Sequence, residues 1–460
     1  MKNLLLLLAM LITSSTVFSQ LYVQPNGSTD SYVYVKDEVL FVENDINLQE
    51  NNAGTEQASI YLREGSQLIQ GSGSTLNSGD GYISIYQTVD ETSNYAYNFW
   101  HSPVGKPSSS ITGNRNAGVS RFYEINDVTD SDIASTTTAH NGDNDPLTIS
   151  TRWLYTRTSS PAGEQEANYN YIAGADGISP GHGFTMKGVS NGSNTIAYEY
   201  DFRGRPNNGT INVPILTTGT AQWTLSGNPY PSAIDLKEFF WDNDTENGLN
   251  SILFWDEPKD EYSHYYSDRS GGYGVWIPGP DNTEGDPGAY TAPTFKNYSA
   301  NGGIEDNAGT GSGLVYNRRY SPVGQGFVLQ TDGVTSTSIT LNNSHRVFDN
   351  GVLGIRAQEN ENDPLERSSS FSNAFVVISP QIRINMVFND EYARQLLLLF
   401  HDESTDGYDI GLDAHHPMDS GGAEAFYLIE EGGEMGPFVI QTRPYAADKQ
   451  IPIGFSLVLV

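Results

Sequence analysis

The sequence predicts an all-β protein of several units, on three observations. Short runs of Tyr, Val, Ile, Thr and Phe recur along the chain between clusters of Gly, Asn, Asp, Ser and Pro, the pattern of many short strands joined by turns. Helical periodicity is nearly absent. The chain has 460 residues, 37% of them hydrophobic and 11% aromatic. That is enough for several cores, and length alone suggests roughly three domains of about 150 residues each. Charged residues make up only 17%, and 24 Lys+Arg against 56 Asp+Glu give a net charge of −32. Such a surface repels the phosphates of nucleic acid and anionic lipid headgroups. It suits an extracellular protein or one that holds cations. With no cysteine there are no disulfides, thiolate metal sites or cysteine nucleophiles.

The elements follow in chain order. Met1-Lys2-Asn3 is a basic start, Leu4 to Ile12 is apolar, and Thr13 to Ser19 is small and polar, with a cleavage site before Gln20. This is a signal peptide over 1–19, since a membrane span needs about 20 apolar residues. Residues 20–93 form a strand-rich unit, with strands at Tyr32 to Val35, Val39 to Val42, Ser59 to Leu62 and Tyr82 to Tyr86. Its small-residue corners fit either a short β-solenoid or an ordinary antiparallel sheet.

The middle of the chain reads as a duplication, 94–215 and 216–356. Phe99-Trp100-His101-Ser102-Pro103-Val104-Gly105 opens the first unit and Trp223-Thr224-Leu225-Ser226-Gly227-Asn228-Pro229-Tyr230-Pro231 the second. Trp153-Leu154-Tyr155 then corresponds to Leu253-Phe254-Trp255, and Gly183-Phe184 to Gly326-Phe327. The second unit carries an insertion over 256–315. One helix is expected over Ser232 to Phe240, with Ser232 and Asp235 as a capping box. A polar linker at 357–370 leads to a β-sandwich over 371–460, with strands at Phe375 to Ile378, Ile382 to Phe388 and Gln395 to Phe400 and a turn at Asn389-Asp390-Glu391. The sequence stops at Val460 inside a strand pattern, so this sandwich is expected to be truncated.

The strings Tyr97-Asn-Phe-Trp-His-Ser-Pro-Val104, Phe202-Arg-Gly-Arg-Pro-Asn-Asn-Gly209 and Gly227-Asn-Pro-Tyr-Pro-Ser-Ala-Ile-Asp235 resemble large secreted and cell-surface proteins of Bacteroidetes exported by type IX secretion. The resemblance spans most of the mature chain. It implies an extracellular, all-β, adhesin-like or matrix protein. It also implies a C-terminal sorting domain, which this sequence lacks, and it supplies no catalytic residue.

Candidate sites follow from residue types. Gly177-Ile178-Ser179-Pro180-Gly181 matches the G-x-S-x-G hydrolase turn, but Pro180 has no N–H to hold an oxyanion, so a plain turn is expected. His415-His416 is the one adjacent histidine pair, and in a strand its members face opposite ways. Asp242, Asp244 and Glu246 alternate before Gly248, a spacing that suits oxygen ligands of Ca²⁺ as well as a solvated turn. Trp255, Tyr265, Tyr266, Tyr273 and Trp276 crowd the second unit and are candidates for stacking on sugar rings, with core packing as the alternative. The Tyr265-Tyr266 and Gly271-Gly272-Tyr273 stretch is expected to be the exposed part, because Gly-rich loops lie on surfaces. No catalytic constellation is visible. The expected function is therefore a secreted, non-catalytic adhesive or structural protein, with carbohydrate binding next and a glycan-acting hydrolase third.

Overall fold

Segments rich in β-branched and aromatic residues form strands throughout the computed structural model. It describes residues 21–51, 57–71, 76–163, 166–173, 176–190, 192, 195–217, 220–244, 248–281, 283, 285–300, 311–332, 336–349, 379–388, 392–417 and 424–456. The expected signal peptide over 1–19, the expected linker over 357–370, the strand expected at Phe375 to Ile378 and the turn expected at Asn389-Asp390-Glu391 lie outside these residues. The protein is all-β. No helix among the described residues is long and apolar enough to cross a membrane.

The N-terminal strands pair in parallel. Val33–Lys36 lies beside Ile60–Arg63, which lies beside the start of Ile83–Thr92. Val39–Val42 pairs with Gln67–Gln70, and Leu21–Val23 with Ile46–Leu48. Antiparallel pairing enters where Ile83–Thr92 meets the long strand Ile196–Pro206. That strand belongs to the first middle unit, so one seven-stranded sheet crosses the expected boundary at residue 93. Buried Asp201 ties the sheet together, accepting from Arg203 Nε at 2.6 Å, Ser84 Oγ at 2.7 Å and Ser131 Oγ at 2.8 Å.

The two sets of middle motifs occupy matching strands. Tyr97–Trp100, Phe184–Lys187, Tyr155–Thr156 and Asn170–Tyr171 lie side by side in that order. Gln222–Gly227, Gly326–Thr331, Leu249–Asp256 and Ser270–Ile277 do the same in an eight-stranded sheet. The register corresponds as well. Phe184 faces Trp100, and Phe327 faces Ser226, each pair set at the same offset before Pro103 and Pro229.

The two sets meet backbone to backbone. A Cβ on Gly183 would lie 2.2 Å from the Ser226 carbonyl oxygen, and one on Gly326 would lie 2.6 Å from the Phe99 carbonyl carbon and the Trp100 nitrogen. His101 N donates to Gly324 O at 2.9 Å, and Gly183 N to Leu225 O at 3.0 Å. The Gly-Asn-Pro-Tyr-Pro string turns away directly afterwards. Asn228 Nδ2 donates to Ser232 O and Ser321 O while its Oδ1 accepts from Tyr230 N. Tyr230 Oη then donates to Gly209 O at 2.7 Å.

The helix is shorter than expected, Leu236–Trp241, and Asp235 alone caps it by accepting from Lys237 N at 2.9 Å. Ser232 does not cap. Ala233–Asp235 is a strand held by Tyr320–Ser321 on one side and Arg346–Val347 on the other, which keeps the chain extended until Asp235.

The C-terminal segment forms one six-stranded sheet. Gln381–Phe388 and Tyr392–Phe400 pair antiparallel, but Tyr392–Phe400 runs parallel to Glu434–Arg443. Leu396 to Leu399 share a core with Trp223, Leu253, Val275 and Val328. The layer facing this sheet is thus supplied by the second middle unit. Glu424 fastens the two layers. Its Oε1 accepts from Lys296 Nζ and Arg394 Nη2, each at 2.7 Å, and its Oε2 from His416 Nε2 at 3.0 Å. Burial alone would raise this carboxyl, but Arg394 and His416 more than offset it and hold it well below the usual carboxylate range.

Gly326→Ala forces a methyl group into the Phe99–Trp100 backbone, and it is expected to lower the unfolding free energy by about 2 kcal/mol or more. Urea titration checks this, and an unchanged midpoint would show that the two sets do not depend on that contact.

Candidate binding cleft

Strand alternation puts every second side chain on the same face. On the paired strands Tyr97–Trp100 and Phe184–Lys187, Tyr97 lies opposite Lys187 and Phe99 opposite Thr185. Across from them, Leu249–Asp256 and Ser270–Ile277 set Trp255 opposite Tyr273. Between these surfaces lies a cleft with about 650 Å³ of empty space out to its open mouth. Its walls are Tyr97, Phe99, Tyr155, Tyr169, Trp255, Tyr266 and Tyr298, with Thr185 and Ser270 among them. Phe99 and Trp255 lie face to face across the two units, 5.9 Å apart and 6° from parallel.

One ion pair lines the cleft. Glu257 Oε2 pairs with Arg269 Nη2, and both side chains are almost fully buried. Glu257 Oε1 accepts from Tyr97 N, and Arg269 Nη1 donates to Tyr95 O. Burial pushes the Tyr97 phenol well above its ordinary value, so it stays protonated at neutral pH.

The aromatic residues singled out in the sequence divide. Trp255 and Tyr266 line the cleft. Tyr265 is 76% exposed outside it. Tyr273 is buried behind the wall, edge-on to Phe99 and Trp255, with its hydroxyl 2.7 Å from that of Tyr169. Trp276 is core, its Nε1 donating to Pro287 O at 3.2 Å. The expectation that Gly271-Gly272-Tyr273 is exposed is therefore corrected, because the whole strand Ser270–Ile277 is buried. Its glycines make room for rings. A Cβ on Gly271 would lie 2.5 Å from the Trp255 indole, and one on Gly274 would lie 1.9 Å from the Tyr290 hydroxyl.

Sequence reading missed Tyr97, Phe99, Tyr155, Tyr169, Glu257, Arg269 and Tyr298. Tyr97 and Phe99 alternate in one strand, which is a legible signal for a shared aromatic face. Nothing in the linear order places that face opposite Trp255.

Asp242 Oδ2 accepts from His345 Nε2 at 2.8 Å, Asp244 is half-buried, and Glu246 lies outside the described residues. Among the described residues no three His, Asp or Glu side chains gather as a metal-ligand set. Ser179 Oγ lies 2.5 Å from His182 Nδ1, inside a turn closed by His182 N donating to Ser179 O. No carboxylate bonds the far nitrogen of His182 among the described residues. His415 stacks on Phe438 while His416 bonds Glu424, so the pair does face opposite ways.

The fold and cleft define an all-β protein whose recess, lined with aromatic rings, lies between two sheets. The chain belongs to a family described as a domain of unknown function (DUF8693), which it matches over residues 10–458. No curated protein and no solved structure matches it.

Glu257→Gln leaves Arg269 buried without its salt-bridge partner. It is expected to cost about 3–5 kcal/mol of stability. Denaturant unfolding at neutral pH measures this, and a loss within error of zero would show that the pair does not organise the cleft.

Proposed function

We propose a secreted or outer-surface, non-catalytic protein with an adhesive role, whose cleft between the sheets takes a sugar ring. The observation that carries this is a recess between the sheets ringed by Trp255, Tyr97, Tyr155, Tyr169, Tyr266 and Tyr298. Flat rings offer the apolar faces of a sugar a stacking surface, and the Tyr, Thr and Ser hydroxyls can meet its own hydroxyls. The two ionised groups at the cleft are paired with each other, which favours a neutral ligand over an acidic or basic one. Glu257 is held by Arg269 and by Tyr97 N, an arrangement that suits a fixed structural anion better than a proton donor. The signal-peptide pattern and the resemblance to adhesin-like surface proteins support the exterior address.

Residues 20–460 are to be incubated with soluble and insoluble neutral polysaccharides, with and without Ca²⁺, with reducing ends assayed in the same tubes. Saturable retention without released sugar is expected. Trp255→Ala should weaken it about tenfold, the loss of about 1.4 kcal/mol. Absence of retention on every polysaccharide would overturn the carbohydrate reading, and released reducing ends would make the protein a hydrolase.

A further inference from the structure

Residues 257–269 leave the strand Leu249–Asp256 and return into Ser270–Ile277. They bring Glu257, Tyr266 and Arg269 to the cleft. They belong to the second middle unit, yet their middle is fastened to the first. His264 Nδ1 lies 3.2 Å from Lys187 Nζ, and its Nε2 lies 2.6 Å from Asn141 Oδ1. The imidazole stacks on Trp153 at 5.0 Å, 12° from parallel. Tyr95 packs against both Tyr262 and His264. The Lys187 amino group sits 3.9 Å from the Trp153 ring centre, and burial, then Arg269, holds it well below the usual lysine range. A neutral imidazole satisfies both partners, with Nδ1 accepting from the Lys187 amino group and Nε2–H donating to the amide oxygen.

We propose that residues 257–269 are a strap forming one wall of the cleft and that His264 is its latch, a positioning residue whose release widens the cleft for ligand. The consequence for binding rests on the carbohydrate reading above, whereas the strap itself can be measured without ligand. Protonation is a built-in release. Burial, then Lys187, His140, Arg269 and Arg152, push the His264 imidazole down to about 3. An imidazolium would face the Lys187 ammonium with no lone pair to offer. A histidine held below its unfolded value, about 6.5, stabilises the closed strap above that pH. The contribution is lost as pH falls toward 3.

The test is amide hydrogen exchange on the ligand-free full chain, comparing wild type with His264→Ala and Lys187→Met. His264→Ala is expected to raise exchange in 257–269 about tenfold at neutral pH while the core strands stay protected. Lys187→Met keeps the ring stack and should give a smaller rise in the same segment. Unchanged exchange of 257–269 in both variants, or a rise spread over the whole molecule, would overturn the strap. A rise confined to 257–269 without any polysaccharide retention would uphold the strap and remove only the carbohydrate reading.

Discussion

The contact on which the rest depends is the approach of two strand pairs so close that only glycine fits between them. Gly183 packs against the Ser226 backbone, and Gly326 against the Phe99–Trp100 backbone. Each glycine opens a Gly-Phe strand in one motif set and meets the first strand of the other. A side chain at either position would push the sheets apart. With backbones touching, the next residues along the strands are forced into register across the gap. Phe99 then lies parallel to Trp255, and the cleft forms where the sheets diverge. The recess is a geometric consequence of the crossing as well as of the residues that line it.

A second organising feature is how a chain with few cations spends them. With 24 Lys+Arg against 56 Asp+Glu, the surface is bound to be acidic. Several of the cations are nevertheless buried against carboxylates. Arg203 pairs with Asp201, Arg269 with Glu257, Arg319 with Asp235, and Lys296 and Arg394 with Glu424. Desolvating such pairs costs most of what their attraction returns. Their value lies in specificity, because a misplaced layer would strand a buried charge. Arg203 and Asp201 lie two apart in one strand, whereas Arg319–Asp235, Lys296–Glu424 and Arg394–Glu424 join residues far apart in the chain. Glu424 joins the C-terminal sheet to the middle, and Asp235 both caps the helix and holds Arg319.

Much of this was legible in particular residues. Leu396 to Phe400 reads as a buried strand and is one, because a continuous apolar run must be covered on both faces. Asp235 reads as a helix cap and is one, although neighbouring strands delay the helix start. The glycine strings were harder. Gly271-Gly272-Tyr273 has the composition of a surface loop yet forms a buried strand, because a glycine that yields space to an indole and one that frees a turn look alike in a sequence.

The sequence by itself determined the all-β class, since strand patterning and turn residues are local properties of the chain. It also determined the acidic charge balance and the order of the paired motifs. Only the tertiary structure decided that the N-terminal ladders run parallel and that the C-terminal sheet borrows its facing layer from the middle. It alone decided which aromatic rings share the cleft. Tyr97 and Trp255 are far apart along the chain and come together only because glycine lets two backbones touch. Contacts of that kind arise from the steric fit of whole sheets, and no local pattern encodes which sheet will be the partner.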